Sequence, residues 1–350
     1  MFLKDSTGFP ENYGYLNARL RAHFSDFLGR EDYRRIASRS LEGIELFLLE
    51  TRYGKSFRKS LVEQPLSTHR RIEMALSDTA SDSLNHARQM AMGEPEDLMR
   101  VLLARADLHN GRLLLRYFFT GAVYEGNPVW HGYGSLPVPF FRQLWKSHSL
   151  SHAIDKCLSS EHPLSSALAA GCSHLRKGST LPASERVFLS EVLSSLEEIL
   201  NRHRNKNGNL VRELLGRSID IWNMNIWSRV AADTIDREKA FGLFIEGGFS
   251  LPLERLRGSN NVSQLLGATV WESLIPKDSG SPLVMMPGKA GRLFWLWQIS
   301  QRRKDPLGIE VSIAFIAHQL VEWQNLNALV VGVDMGLEVG SIMGKMVLPG

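Results

Sequence analysis

Residues 304–326 read KDPLGIEVSIAFIAHQLVEWQNL, and within them Ile309, Ile313, Ile316, Leu320 and Trp323 recur in alternating steps of four and three. That rhythm follows the 3.6-residue helical repeat, so the segment reads as a helix whose apolar stripe faces a neighbouring helix. Asp305 then Pro306 supplies a capping residue followed by the residue best suited to the first helical position, so the helix is expected to begin there.

The same reading extends outward along the chain. Residues 93–121, GEPEDLMRVLLARADLHNGRLLLRYFFTG, carry Pro95 and the acids Glu94, Glu96 and Asp97 where a helix should start, and Gly121 where it should stop. Acids suit the positive end of a helix, so the stretch predicts one long helix that tolerates Gly111. Another is expected after Gly208 and Asn209, with Val211, Leu215, Trp222, Ile226 and Val230 on its apolar face and Arg212, Asn225 and Arg229 opposite. Further helical patterns span 17–28, 32–52, 67–92 and 182–203, separated by Gly, Pro and Ser clusters at 121–139, 176–184 and 276–291. Alternation of period two is nearly absent, so the fold class is all-α.

The three long helices share a pattern. Asp107 and Asn110, Asp220 and Asn223, and Glu322 and Asn325 each read acid-x-x-Asn, a spacing that places both side chains on one helical face, where the amide could donate to the carboxylate. With 37 acids and 15 Asn among 350 residues, roughly two such pairs arise by chance, and Asp82 with Asn85 and Glu198 with Asn201 also fit. Context distinguishes the three. Gly134 of GSLPVPFFRQL stands 24 residues after Asn110, Gly247 of GGFSLPLERL stands 24 after Asn223, and the chain ends 25 after Asn325. Three diverged repeats follow, at 1–124, 125–235 and 236–350. Repetition favours a structural role, in which the polar pair faces a neighbouring bundle and fixes register through hydrogen bonds that are costly to leave unmade.

Composition narrows the function. Hydrophobic residues make up 43% and charged residues 22% of the chain, a globular mixture that excludes disorder. The net charge is +4, and the basic surplus is two, two and zero in the three thirds, so no block is basic enough for nucleic-acid binding despite a sequence pI of about 9.1. Cys157 and Cys172 cannot build a disulfide framework, the opening residues lack a signal peptide's apolar run, and the most apolar windows fall short of the about 18 residues that spanning requires. A cytoplasmic protein is expected.

Reactive motifs are incomplete. GSIMGKM at 340–346 is one spacer short of a phosphate loop and has Met346 where a metal-binding hydroxyl belongs. His148 and His152 could share a metal from one helical face, with Cys157, Cys172 and His174 nearby, but neither HExxH nor CxxC is present. Ser173 in GCSHL lacks the closing glycine of a nucleophile elbow, and Glu197 and Glu198 read as a solvated face. Phe294, Trp295 and Trp297 are denser than one buried face needs, which fits core packing in a helical array or a protein interface. No metal or cofactor is expected.

Four segments in order resemble one family. YGYLNARLRA at Tyr13–Ala22, ETRYG at Glu50–Gly54, LLARADLHNGRLLLR at Leu102–Arg116 and KDPLGIEVSIAFIAHQLVEWQNL at Lys304–Leu326 are similar to the C subunit of the archaeal and bacterial V/A-type rotary ATPases, counterpart of the d subunit in eukaryotic vacuolar enzymes. Residues 125–205 match only as a helical pattern. Asn327 replaces the Arg that commonly follows Asn-Leu, and His318 stands where a Lys is usual, so a salt bridge made there is not expected here. The resemblance implies three pseudo-repeated helical bundles arranged as a funnel about a pseudo-three-fold axis. It also implies a non-catalytic rotor part on the cytoplasmic face of the membrane, peripheral and without its own membrane span. Its partners would be the D and F subunits of the central shaft and the membrane proteolipid (c/K) ring, with one copy of this chain in the hetero-oligomer. The alternative is a helical-repeat adaptor or scaffold that keeps the fold and takes other partners.

Overall fold

The computed structural model describes residues 11–63, 67–121, 128–147, 149–232, 235–276 and 283–348, and the regular structure among them is entirely helical. The first group comprises α1 (Tyr13–Ala22), α2 (Arg30–Ala37), α3 (Leu41–Leu49), α4 (Gly54–Glu63), α5 (Thr68–Met90), α6 (Glu94–Leu103) and α7 (Arg105–Thr120). Then come α8 (Val138–Trp145), α9 (Leu150–Ser159), α10 (Pro163–Arg176), α11 (Leu181–Leu200) and α12 (Lys206–Ala231). The last six are α13 (Arg237–Phe241), α14 (Leu253–Gly258), α15 (Val262–Leu266), α16 (Met286–Ser300), α17 (Glu310–Asp334) and α18 (Val339–Lys345). Side-chain caps set several starts: Ser40, Ser67, Ser149 and Asn205 each accept the N–H three residues on, satisfying a donor the helix leaves orphaned.

Three expectations need adjustment. The stretch from Glu94 to Thr120 is two helices, because at Ala104 the N–H is shared between the carbonyls of Arg100 and Val101 and the turn tightens. Gly111 sits on α7 for a packing reason, since a Cβ there would lie 2.3 Å from the Phe188 ring of α11. The second long helix begins at Lys206, capped by Asn205, and so takes in Gly208 and Asn209, after which it was expected to start. The third begins at Glu310, five residues after Asp305, because the Asp305 carboxylate accepts from Leu307 N–H (2.9 Å) and caps a turn instead.

Helix α17 is the axis of the packing, touching α5, α16, α1 and α3. The expected stripe of Ile309, Ile313, Ile316, Leu320 and Trp323 is buried, and so are Val311, Ala314, Phe315 and Ala317 on its other faces. A helix apolar all round belongs in a core, and each fully buried aliphatic side chain there contributes about 1.5–3 kcal/mol. In the aromatic run on α16 Phe294 is buried and stacks on Trp297 at 5.9 Å, while Trp295 and Trp297 are half-buried under the guanidiniums of Arg105 and Arg217. His318 sits among rings, stacked on Phe27 (5.3 Å) and edge-on to Phe24 (5.1 Å).

Candidate functional site

Each acid-x-x-Asn pair reaches away from its own helix to the main chain of another segment. Asn110 Nδ2 donates to the carbonyl of His131 (2.9 Å), and its Oδ1 accepts the N–H of the same residue (3.0 Å). Asn223 does the same with Ile245 (2.8 and 2.9 Å), and Asn325 with Val347 (2.8 and 3.0 Å). The amides therefore do not donate to the neighbouring carboxylates; each closes a two-bond ring on a peptide unit 21 or 22 residues further on.

The acids hold the turn that follows. Asp107 accepts from the N–H groups of Ser135 (2.8 Å) and Leu136 (2.9 Å), and Asp220 from Ser250 (3.0 Å), Leu251 (3.1 Å) and the indole of Trp271 (2.8 Å). A glycine makes each approach possible: a Cβ at Gly134 would meet Asp107 Oδ1 at 2.4 Å, and one at Gly248 would meet Asp220 Oδ1 at 2.5 Å. The counterpart of Gly134 is thus Gly248, one residue beyond the Gly247 that spacing suggested. Burial pushes the Asp107 carboxyl up to about 6, against the pull of its two N–H donors, and raises Asp220 in the same sense.

The third acid turns to a segment far earlier in the chain. Glu322 accepts instead from the N–H of Leu28 (2.6 Å), 294 residues earlier, and from the guanidinium of Arg52 and the hydroxyl of Tyr53. The three leucines stand alike, because α2, α8 and α14 each begin two residues after Leu28, Leu136 and Leu251. Each long helix therefore grips the residues just ahead of a helix in another unit, and the last grips those ahead of α2, toward the amino-terminal side of the fold. Arg52 also donates to Gln319 (2.8 Å) and lies 4.6 Å over the Phe27 ring. Burial and the Glu322 charge raise the Tyr53 hydroxyl well above its usual range, so it stays a donor.

The opposite ends of the long helices also meet. Glu94, at the start of α6, accepts from Tyr13 Oη (2.6 Å), Asn207 Nδ2 (2.7 Å) and Asn205 Nδ2. Asn207 Oδ1 accepts the N–H of Ile309 (3.1 Å), and Asn17 Nδ2 donates to the carbonyls of Pro306 (2.9 Å) and Gly308 (2.8 Å). Side chains from the starts of α6, α12 and α1 thus satisfy one another and the entry to α17.

Burial separates these pairs from their look-alikes. All six side chains at 107, 110, 220, 223, 322 and 325 are buried, whereas Asp82 and Glu198 are exposed. Sequence reasoning missed Arg52 and Tyr53 as partners, although ETRYG contains both, and it missed Glu94 and Asn207. Asn223→Ala is expected to destabilise the protein by about 2 kcal/mol, because it strips partners from the buried N–H and carbonyl of Ile245. Denaturant titration measures this, and unchanged stability would assign Asn223 another role.

The remaining candidates for chemistry do not converge. GSIMGKM lies in and just after α18, with Ile342 packed into the space beside Gly332. His148 lies outside the described residues, His152 is exposed, and Cys157 and Cys172 are buried thiols, the former pushed up to about 12 by burial. His174 lies 3.4 Å from Ser184 Oγ, Ser173 is in the last turn of α10, and Glu197 pairs with Arg212 (3.0 Å). Among the described residues no three His, Cys, Asp or Glu groups come together as a metal site needs, and no helix is long and apolar enough to cross a membrane.

Comparison with known proteins gives one consistent result. The family model described as ATP synthase (C/AC39) subunit matches residues 16–345. The A-type ATP synthase C subunit of Methanococcoides burtonii is 23% identical, with 99% of this chain and 97% of that protein aligned. The V-type ATP synthase C subunit of Thermus thermophilus is 23% identical over 97% of this chain and 99% of its own length. The A-type ATP synthase C subunit of Methanosarcina mazei is 22% identical, with 96% and 93% covered.

Proposed function

The chain belongs to the ATP synthase (C/AC39) subunit family, and from that premise we propose that it is the non-catalytic socket of a V/A-type rotary ATPase, joining the central shaft to the membrane proteolipid ring. On this reading the D and F subunits of the shaft and the ring are its partners, and it sits peripherally on the cytoplasmic face. The observation that carries the proposal is the contact of Glu322 with Leu28, Arg52 and Tyr53. A coupling part must pass torque between two interfaces without storing it as bending, and a close-packed body whose last long helix is tied to the segments ahead of α2 and α4 resists being wound open. The thirds at 1–124, 125–235 and 236–350 act as repeats in that circuit, each long helix holding the entry of the next unit. The pairs at 107/110, 220/223 and 322/325 serve as its fasteners, not as contacts with other subunits.

Affinity capture of the tagged chain from gently solubilised native membranes tests the proposal. Shaft and proteolipid subunits are expected in near-equal complex amounts. Recovery of neither, from cells that express the other subunits, would overturn it in favour of a scaffold with different partners.

A further inference from the structure

One edge of the molecule gathers cations that no carboxylate answers. Gly14, Asn17, Arg21 and Phe24 follow the helical repeat down one flank of α1 and the turn after it. This flank lies along residues 302–308: a Cβ at Gly14 would be 3.9 Å from a Leu307 methyl, Asn17 holds the carbonyls of Pro306 and Gly308, and the Arg302 guanidinium lies 4.3 Å over the Phe24 ring. Arg21 lies on this flank between the anchors Asn17 and Phe24, and Arg302, Arg303 and Lys304 belong to the segment that those anchors hold. All four are exposed, as is Arg19, and among the described residues none of the five makes an ion pair. The acids in these segments are already engaged, Asp305 with Lys206 (2.8 Å) and Asp26 with His23 (2.8 Å).

The same edge carries protruding apolar groups. Leu307 is 65% exposed on the turn between Pro306 and Gly308, and Tyr15 is 59% exposed on the adjacent face of α1. An exposed leucine on a turn, close in sequence to cations and near an exposed amphipathic ring, matches the chemistry of a lipid interface, where phosphates meet Arg and Lys and apolar tips enter the layer beneath. An acidic protein segment would answer the charge, but a projecting Leu307 fits a deformable surface better than a preformed one.

We propose that α1 and the 302–307 turn form a contact surface for anionic phospholipid. The surface goes beyond the rotor reading and needs no second protein, so it stands or falls separately from it. The test floats the purified full chain with vesicles of phosphatidylcholine alone or with about one-third phosphatidylglycerol, at low and near-physiological salt. Binding to the anionic vesicles only, weakened by salt, is expected. The double variant Arg303→Gln/Lys304→Gln should bind roughly 30-fold more weakly, about fivefold for each charge removed, and Leu307→Ser should weaken binding at both salt concentrations. All these positions are exposed, so unchanged melting confirms that the variants fold. Failure to bind anionic vesicles, equal binding by the double variant, equal binding to neutral vesicles, or capture of an acidic peptide with no vesicle binding would each overturn the proposal.

Discussion

Glu322→Ala is expected to lower stability by about 3–5 kcal/mol, the loss typical of removing one partner from a buried charged pair. The substitution leaves the Arg52 guanidinium, the Tyr53 hydroxyl and the Leu28 N–H without their shared acceptor inside the protein. The unfolding midpoint should fall by about 5–10 °C, and limited proteolysis should cut first in the opening segment around α1 and α2. Asp82→Ala removes the exposed look-alike acid and should change stability by less than about 0.5 kcal/mol. A Glu322→Ala protein as stable and protease-resistant as its parent would show that the chain ends are held elsewhere.

Acidification should destabilise the protein from about pH 6.5 downward, and His318→Phe should remove part of that loss. Burial among Phe24, Phe27 and Phe315, together with the Arg302 charge, lowers the His318 imidazole to about 4, and burial takes His131 down to about 2. The unfolded chain binds protons at these sites near pH 6.5 and the folded chain only well below it. Their contribution is therefore complete above about pH 6.5 and is lost as pH falls toward the folded values, by up to about 3 kcal/mol for His318. Asp107 acts oppositely: its carboxyl is raised to about 6, so between about pH 4 and 6 the folded state takes up its proton more readily and stability from this group rises as pH falls. Asp220 is raised in the same sense, but burial also lowers His109, to about 4, and His162, so four histidines against two aspartates leave the loss dominant. Denaturant titrations at pH 7 and pH 5 should show a smaller difference for His318→Phe than for the parent, and an equal difference would mean that His318 is not held neutral.

Much of this architecture is legible in the sequence because helical periods are strong and the acid-x-x-Asn pairs recur in three long helices. What the pairs would grip is not legible. Asn110 and Asp107 find partners within a few tens of residues, but Glu322 reaches Leu28 across 294, and no local spacing carries that information. Burial, invisible in a spacing, is what separates Asp107 from Asp82. Patterning also misleads where a helix is buried on every side: the stripe from Ile309 to Trp323 promised one apolar face, yet Phe315 and Ala317 are as enclosed as Ile316. Boundaries failed where a side chain had a competing use, as with Asp305, whose carboxylate serves Leu307 N–H and not the helix expected to follow it.

The bond between Glu322 and Leu28 also sets an order of events on the ribosome. The amino-terminal helices emerge first, and α5, with Ile72, Ala75, Leu76 and Ala80 buried in the finished protein, packs on α4 at once but must wait for α17 to be synthesised for the rest of its cover. Until then that apolar face and the Arg52–Tyr53 pair lack their cover, so a chain that stalls before residue 310 presents the exposed surface that chaperones and proteases recognise. Closure of the fold therefore waits on the synthesis of α17, and products truncated before it are marked for removal before they can compete for a place in an assembly.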